Sequence, residues 1–517
     1  MRTPCDEAQI ESVRATVPCA PKSEAWILAA TILASSLAFI DSTVVNVALP
    51  ALQEAFHANL VDVQWVVESY GLLLSALILV GGALGDLYGR RLLFVSGVAV
   101  FAAASAACGF AQSVHQLILW RAAQGIGAAF LVPGSLSIIS AAFDERRRGR
   151  AIGTWSGFTA ITTALGPVLG GWLIEHVSWR SVFFINLPLA AAVIAIAFWR
   201  VPESRSSEAK HVDWRGAALA TFGLAGIVYG FLETSNLGWR DPAVYGTLAG
   251  GFVCLAAFPL VEARQRQPMV PLALFRSRAF SGANLLTLWL YAALGAFFFF
   301  LPLNLIQVQR YSATATGSAA IPLVLLMFLL SRWSGGLVSH YGARLPLTVG
   351  PLLASCGFAL FAVPSVSAEY WRDFFFPFLL LGFGMAVTVP PLTTVAMSAI
   401  PQDHAGTASG VNNAVARVAG VLAIAVLGIV MVAAFGFRLE RSLPHLGLTQ
   451  AAIDYLHAHV TRLAGMDAPP GLSASTASAL RSAIDHAFVF GFRIVMLICA
   501  LLAAVSAAVA ALLIPEK

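Results

Sequence analysis

Apolar residues run in long unbroken blocks along almost the whole chain, neither alternating as in strands nor confined to one helical face. Fourteen such blocks follow one another, at 26–49, 64–84, 92–110, 116–139, 151–174, 181–199, 214–233, 243–261, 280–308, 316–338, 345–364, 374–398, 408–434 and 488–513. Roughly 20 apolar residues in a helix match the hydrocarbon core of a bilayer, so each block predicts a membrane-crossing α-helix. The connections are short and leave no room for a large soluble domain. The exception is the stretch from Phe435 to Asp485, within a predicted loop 435–487. In it, residues 449–464 read as a short amphipathic helix that Ala468-Pro469-Pro470-Gly471 breaks.

Composition agrees. Hydrophobic residues make up 58% of the chain and charged ones 11%, against about 25% charged in soluble domains. The fold class is all-α integral membrane. A net charge of +5 would suit a nucleic-acid partner if the basic residues shared one soluble surface. They gather instead in alternate loops: Arg90 and Arg91; Arg146, Arg147, Arg148 and Arg150; Arg200, Arg205, Lys210 and Arg215; Arg264, Arg266, Arg276 and Arg278; Arg344. The loops between are poor in Lys and Arg, and the first carries Glu54, His57 and Asp62. The positive-inside rule then places both termini in the cytoplasm, in agreement with an even number of helices, and no nucleic acid is expected. The first block is too long for a cleaved signal peptide. Six cysteines without a CxxC spacing predict neither a disulfide framework nor a zinc site. His457 and His459 stand at i, i+2, on different helix faces, so His445, His457, His459 and His486 predict no metal site. No cofactor is implied, and no Walker-type sequence points to ATP.

Two echoes reveal a repeat. Gly82-Ala83-Leu84-Gly85-Asp86-Leu87-Tyr88-Gly89-Arg90-Arg91 after the second block matches Gly335-Gly336-Leu337-Val338-Ser339-His340-Tyr341-Gly342-Ala343-Arg344 after the tenth. Gly149-Arg150-Ala151-Ile152-Gly153 at the fifth matches Gly406-Thr407-Ala408-Ser409-Gly410 at the thirteenth. Both pairs lie eight blocks apart, as two six-helix repeats separated by an inserted helix pair would. The predicted organisation is a tail at 1–25, a bundle at 26–200, an insert at 201–279 with helices 214–233 and 243–261, a bundle at 280–513, and a tail at 514–517. Parallel repeats about an axis along the membrane normal are a transporter architecture, with substrate held near the midplane.

Chemistry concentrates in the first repeat. Asp41 lies inside the first block, where an ionisable group is costly and marks a functional site. At about 1.5 Å per residue, Asp41 lies roughly 13 Å in from Pro50 and Arg121 roughly 9 Å in from His115, so the two can share a layer. A neighbouring cation favours the carboxylate and apolar burial favours the acid; a carboxyl balanced between them can load and release a proton. Glu68, about one turn inside the second block, can add a second carboxyl that binds protons or favours cationic substrates, or can reach out to headgroups. The turn with Gly82, Asp86, Gly89, Arg90 and Arg91 reads as a latch at the cytoplasmic ends of helices: glycines allow close approach, and the acid and cations make charge-assisted bonds. Gly166, Pro167, Gly170 and Gly171 form a kinked small-residue face for tight packing. In the second repeat Arg332, Asn412, Asn413 and Arg417 are the cavity candidates, with Arg332 and Arg417 as buried cations. No midplane acid appears there. The aromatics Phe297 to Phe300, Trp289, Tyr291, Phe378 and Phe383 are candidates to line a lipophilic cavity.

The Gly82 to Arg91 turn resembles the loop signature of the major facilitator superfamily. Asp41-Ser42-Thr43-Val44-Val45-Asn46-Val47-Ala48-Leu49-Pro50, Arg121-Ala122-Ala123-Gln124-Gly125-Ile126-Gly127, Gly166 to Gly171, and Trp179-Arg180 with Phe184-Ile185-Asn186-Leu187-Pro188 are similar to its fourteen-helix drug:proton antiporter branch. The resemblance implies the major facilitator fold and proton-coupled export of lipophilic drugs or toxins, cationic ones included, by alternating access. It adds Asn46 to the proton-coupling set and makes Gly166 to Gly171 the antiporter motif. Thr162 stands where the family has a further glycine, and Glu68 where it more often has Thr or Ser. Export or flipping of a lipid or secreted metabolite on the same fold is the alternative; no clustered nucleophile and base suggests an enzyme. The expected setting is the bacterial inner (plasma) membrane, as a monomer surrounded by lipid, with protons and a small lipophilic substrate as partners. A periplasmic partner is left open.

Overall fold

With no water in the bilayer core, each crossing segment must satisfy its backbone polar groups internally, and a helix does so within one segment. The computed structural model describes residues 21–143, 145–205, 213–265, 268, 270–398 and 405–516, and no strand occurs among them. The helices are α1 (Pro21–Phe56), α2 (Leu60–Tyr88), α3 (Arg90–Gly109), α4 (Val114–Ala142), α5 (Glu145–His176), α6 (Asn186–Arg200), α7 (Trp214–Leu237), α8 (Pro242–Glu262), α9 (Arg278–Leu303), α10 (Ile321–Gly335), α11 (Arg344–Phe361), α12 (Phe375–Ser398), α13 (Ala405–Ser442) and α14 (Ala474–Leu513). Thirteen helical spans among the described residues are long and apolar enough to cross a membrane, and α5, 32 residues long, occupies the remaining expected block.

Several boundaries differ from expectation. The helices α13 and α14 extend past their apolar blocks through amphipathic sequence, so the connection between them shrinks from the expected 435–487 to 443–473. Within it a helix covers Gln450–Ala458. It ends where His459 leaves helical geometry (φ −112°, ψ 11°), ahead of the Pro-Pro pair expected to break it.

The chain divides into two units. The first comprises the chain up to Val45, Val66–Ala225 and Gly251–Leu272; the second comprises Asn46–Trp65, Gly226–Gly250 and the chain from Ala273 onward. The α1–α2 turn and the α7–α8 turn fall in the second unit. Side-chain bonds hold them there: Gln307 Nε2 donates to Gln53 Oε1 at 2.7 Å, Gln64 Nε2 to the Ile424 carbonyl at 2.9 Å, and Trp65 Nε1 to Glu233 Oε1 at 2.8 Å.

The repeat is visible inside each unit. In the first, α3 and α4 approach so closely that a Cβ on Gly127 would lie 2.5 Å from the Phe101 nitrogen. In the second, α11 and α12 do the same, with a Cβ on Gly384 falling 2.5 Å from the Ala354 nitrogen. Four of the aromatic candidates resolve into packing, while Phe383 is exposed and Trp289, Tyr291 and Phe298 are half-buried. Phe297, Phe299, Phe300 and Phe378 are fully buried; Phe297 packs tilted and Phe378 edge-on against Phe361, with ring centroids 4.7 and 4.9 Å apart. They form the second unit's own core.

Candidate functional site

Asp41 sits at the centre of a buried polar cluster inside the first unit. It is 1% exposed, as is Arg121. Arg121 Nη1 lies 2.5 Å from Asp41 Oδ2. The other carboxylate oxygen accepts from Gln124 Nε2 at 2.8 Å and from Asn186 Nδ2 at 3.3 Å. Thus α1 supplies the acid, α4 the cation and one amide at i, i+3, and α6 the second amide. Around them, Arg121 Nη1 also donates to Gln124 Oε1 (2.7 Å) and Nε to the Val66 carbonyl (3.1 Å). The guanidinium lies over the Tyr70 ring, 4.3 Å from its centroid. Asn186 Nδ2 further donates to Ser105 Oγ (3.0 Å), which donates to the Phe183 carbonyl (2.8 Å).

The electrostatic consequence follows from the donor count. Every side-chain neighbour hydrogen-bonded to Asp41 donates, the environment that suits a carboxylate. Removing one charge of such a buried pair strands the other at a cost of about 3–5 kcal/mol. A proton arriving on Asp41 therefore cannot leave the cluster as it is: Arg121 must find another counter-charge or move.

The small-residue face of α5 packs on the same turn of α1. A Cβ on Gly166 would collide with Thr43 Oγ1 and lie 3.3 Å from the Ile40 carbonyl, and one on Gly170 would lie 2.8 Å from Val44 Cγ1. Gly171 is buried and Pro167 half-buried within α5. The glycines thus hold α1 on both sides of Asp41 in the sequence. Thr162 turns its hydroxyl onto the Thr159 carbonyl of its own helix (3.0 Å).

The expected latch gains a partner. Arg90 Nε and Nη2 both lie 2.8 Å from Asp86 Oδ1, so this pair joins the end of α2 to the start of α3, its immediate neighbour in the chain. A longer-range bond comes from Glu203, just after α6, a residue that sequence reasoning missed. Its carboxylate accepts the Arg91 and Leu92 backbone N–H groups, each at 3.0 Å, placing an anion at the N-terminus of α3. Arg91 Nη1 returns to the Val201 carbonyl at 3.0 Å. Gly89 is required twice: its φ of 128° is disfavoured for side chains, and a Cβ there would lie 2.8 Å from the Glu203 carboxylate. A Cβ on Gly82 would make only ordinary contact with Pro133, at 3.7 Å. The second unit repeats the device. Gly342 has φ 74° and faces the Glu516 carbonyl, while Arg344 pairs with Glu516 at 2.6 Å and donates to the Ala511 carbonyl.

Other expected residues lie elsewhere. Glu68 is fully buried, which excludes the headgroup reading, and it is not hydrogen-bonded to the Asp41 cluster. Asn46, half-buried, belongs to the second unit. In the second unit Asn412 Nδ2 donates to Thr287 Oγ1 (2.8 Å) and Asn284 Oδ1 (3.3 Å). Asn413 is exposed, and Arg417 is half-buried instead of the buried cation expected. The side chain of Arg332 lies outside the described residues. Sequence reasoning had quoted Gln124 and Asn186 only as motif letters, and it missed Ser105, Asn284 and Thr287; as neutral polar residues they raise no alarm in an apolar helix.

Comparison with known proteins gives this geometry a context. The profile described as Major Facilitator Superfamily matches residues 31–424. The tetracenomycin C resistance and export protein of Streptomyces glaucescens is 34% identical over 485 residues, 91% of this chain and 88% of that protein. The multidrug resistance protein Stp of Mycobacterium tuberculosis (strain CDC 1551 / Oshkosh) is 35% identical over 442 residues, 85% of this chain and 81% of that protein. Among solved structures, a bacterial homolog of the human lysosomal transporter Spinster superposes with a TM-score of 0.64 at 18% identity, covering 95% of this chain and 97% of that one. That last likeness concerns the fold.

Proposed function

Because the chain belongs to the Major Facilitator Superfamily, we propose that it exports lipophilic drugs or toxins, cationic ones among them, in exchange for protons by alternating access. The observation that carries the reading is the buried Asp41–Arg121 pair with its two amide donors. A proton from outside adds to an Asp41 oxygen, the ion pair is lost, and α1 must shift against α4. The α5 glycine face, packed at Ile40, Thr43 and Val44, passes that shift to the rest of the first unit. The proton leaves to the cytoplasm when the pair re-forms. Coupling follows if substrate and proton favour opposite states. The names of the relatives, resistance and export of drugs, support the substrate class.

The setting is the bacterial inner (plasma) membrane with both termini cytoplasmic, the chain working as a monomer. Transport of one dedicated compound is a second reading, favoured by the Streptomyces glaucescens relative, whose name joins resistance to export of a single compound. Proteoliposomes loaded with ethidium and given an imposed pH gradient test the proposal. Gradient-dependent movement of ethidium against its concentration is expected; movement indifferent to the gradient overturns it.

A further inference from the structure

Inside the first unit, the end of α6 leaves a cation without an acid. Arg200, the last residue of that helix, stacks its guanidinium on the Trp199 ring, 3.7 Å from the centroid. Its Nε is buried and has no hydrogen-bond partner among the described residues. The acids nearest in the chain or at the neighbouring helix ends are engaged with other groups. Glu203 accepts the Arg91, Leu92 and Ser204 backbone N–H groups, Asp86 pairs with Arg90, and both oxygens of Glu24 accept from Arg147 Nη1 at 2.7 Å. A second guanidinium stands close by, since Arg91 Nη1 donates to the carbonyl of Val201, the next residue after Arg200. Stacking uses the face of a guanidinium and leaves its fork of N–H donors on the edge, the shape that fits a phosphate.

The surroundings of Arg200 are those of a membrane interface. Trp26 of α1 is 42% exposed and Trp199 is 58% exposed, with ring centroids 5.8 Å apart. Tryptophans at the end of a crossing helix mark the headgroup level. Phe198 is exposed as well and continues the outward stripe of Ala191, Ala192 and Ala195 along α6, at the i, i+3, i+4 and i+7 spacing of one helix face. An acyl chain can lie along that stripe. The same end of the unit carries Arg90, Arg91, Arg147 and Arg205, the basic excess that an anionic leaflet attracts. We infer that Arg200, Trp26 and Trp199 form a site for the phosphate of an anionic phospholipid headgroup of the phosphatidylglycerol type, taken from the inner leaflet.

The place matters because of what the same two helices hold at their other contact. The helices α1 and α6 run antiparallel, so that Trp26 meets Trp199 at one end and Asp41 accepts from Asn186 at the other. A headgroup seated on both tryptophans ties α1 to α6 a second time and stabilises the arrangement in which Asp41 is bonded. Only the choice of leaflet rests on the orientation proposed above. Binding itself goes beyond the export reading and does not depend on it.

The test titrates the purified full chain in dodecylmaltoside with dioleoylphosphatidylglycerol and, separately, with dioleoylphosphatidylcholine, following thermal unfolding. Stabilisation by the anionic lipid at concentrations where the zwitterionic one has no effect is expected; equal curves overturn the site, and this comparison needs no variant. Arg200→Gln is expected to weaken the phosphatidylglycerol response about tenfold or more, as one lost charge-assisted contact requires. Arg205→Gln, which removes the same charge from an exposed position, is expected to respond as wild type. Equal responses from the two variants overturn a local site in favour of a diffuse attraction. Inorganic phosphate at the same concentrations is expected to do nothing, and stabilisation by phosphate alone overturns the lipid assignment. Ethidium export indifferent to the pH gradient, with phosphatidylglycerol binding intact, fails the export reading and leaves this site standing.

Discussion

The two halves share a scaffold and differ in chemistry. In each, a glycine-mediated helix pair packs at backbone contact, and a left-handed glycine sits beside a glutamate just past the half's last helix. Yet in the first half α1 carries a buried aspartate paired to a buried arginine, while in the second α9 and α13 meet through Asn284, Thr287 and Asn412. The first network holds charges whose balance one proton upsets. The second has only amides and a hydroxyl, whose protonation does not change across the working pH range. A repeat duplicated the frame, and the division of labour lies in which of these two networks is charged.

Breaking the charged network should have the largest effect. Arg121→Ala leaves the Asp41 carboxylate buried and uncompensated, and should cost about 3–5 kcal/mol of stability and abolish gradient-driven export. Asp41→Asn combined with Arg121→Gln should recover much of the thermal stability, read by melting in detergent, without recovering export. If the double variant is no more stable than Arg121→Ala, the two side chains are not an energetic pair.

The α5 face sharpens the comparison by testing what transmits a change at Asp41. A side chain in Gly170→Leu meets Val44 at once. Overpacking of about 1–3 kcal/mol should slow ethidium export on the order of tenfold, with helix content by circular dichroism unchanged. An unaltered rate would separate α5 from the coupling.

The smallest effect is expected in the neutral half. Asn412→Ala should lower stability by about 1–3 kcal/mol through two lost hydrogen bonds and leave the pH dependence of export unchanged. A shifted pH profile would mean that the second network takes part in proton handling.

These contrasts were unequally legible in the sequence. The helices show because a bilayer demands long apolar runs, and Asp41 and Arg121 show because a charge in such a run needs a reason. Gln124 and Asn186, which finish the cluster, carry no comparable cost and stand out only beside Asp41. Glu203 was invisible for the opposite reason. An acid in a polar connection is ordinary, and its target, the start of α3, lies more than 100 residues earlier. The extended ends of α13 and α14 leave the apolar blocks, so hydropathy gave no sign of them. The unit boundary between Val45 and Asn46 depends on tertiary bonds such as Gln53 to Gln307 that no local pattern encodes.

The central claim is that Asp41 exchanges a proton against substrate. Its most direct measurement is proton release when tetraphenylphosphonium is added to purified protein in weakly buffered detergent solution, compared between wild type and Asp41→Asn. Wild type should release protons in proportion to bound cation, and Asp41→Asn should release none while Asn412→Ala matches wild type. Equal release from wild type and Asp41→Asn would contradict the account.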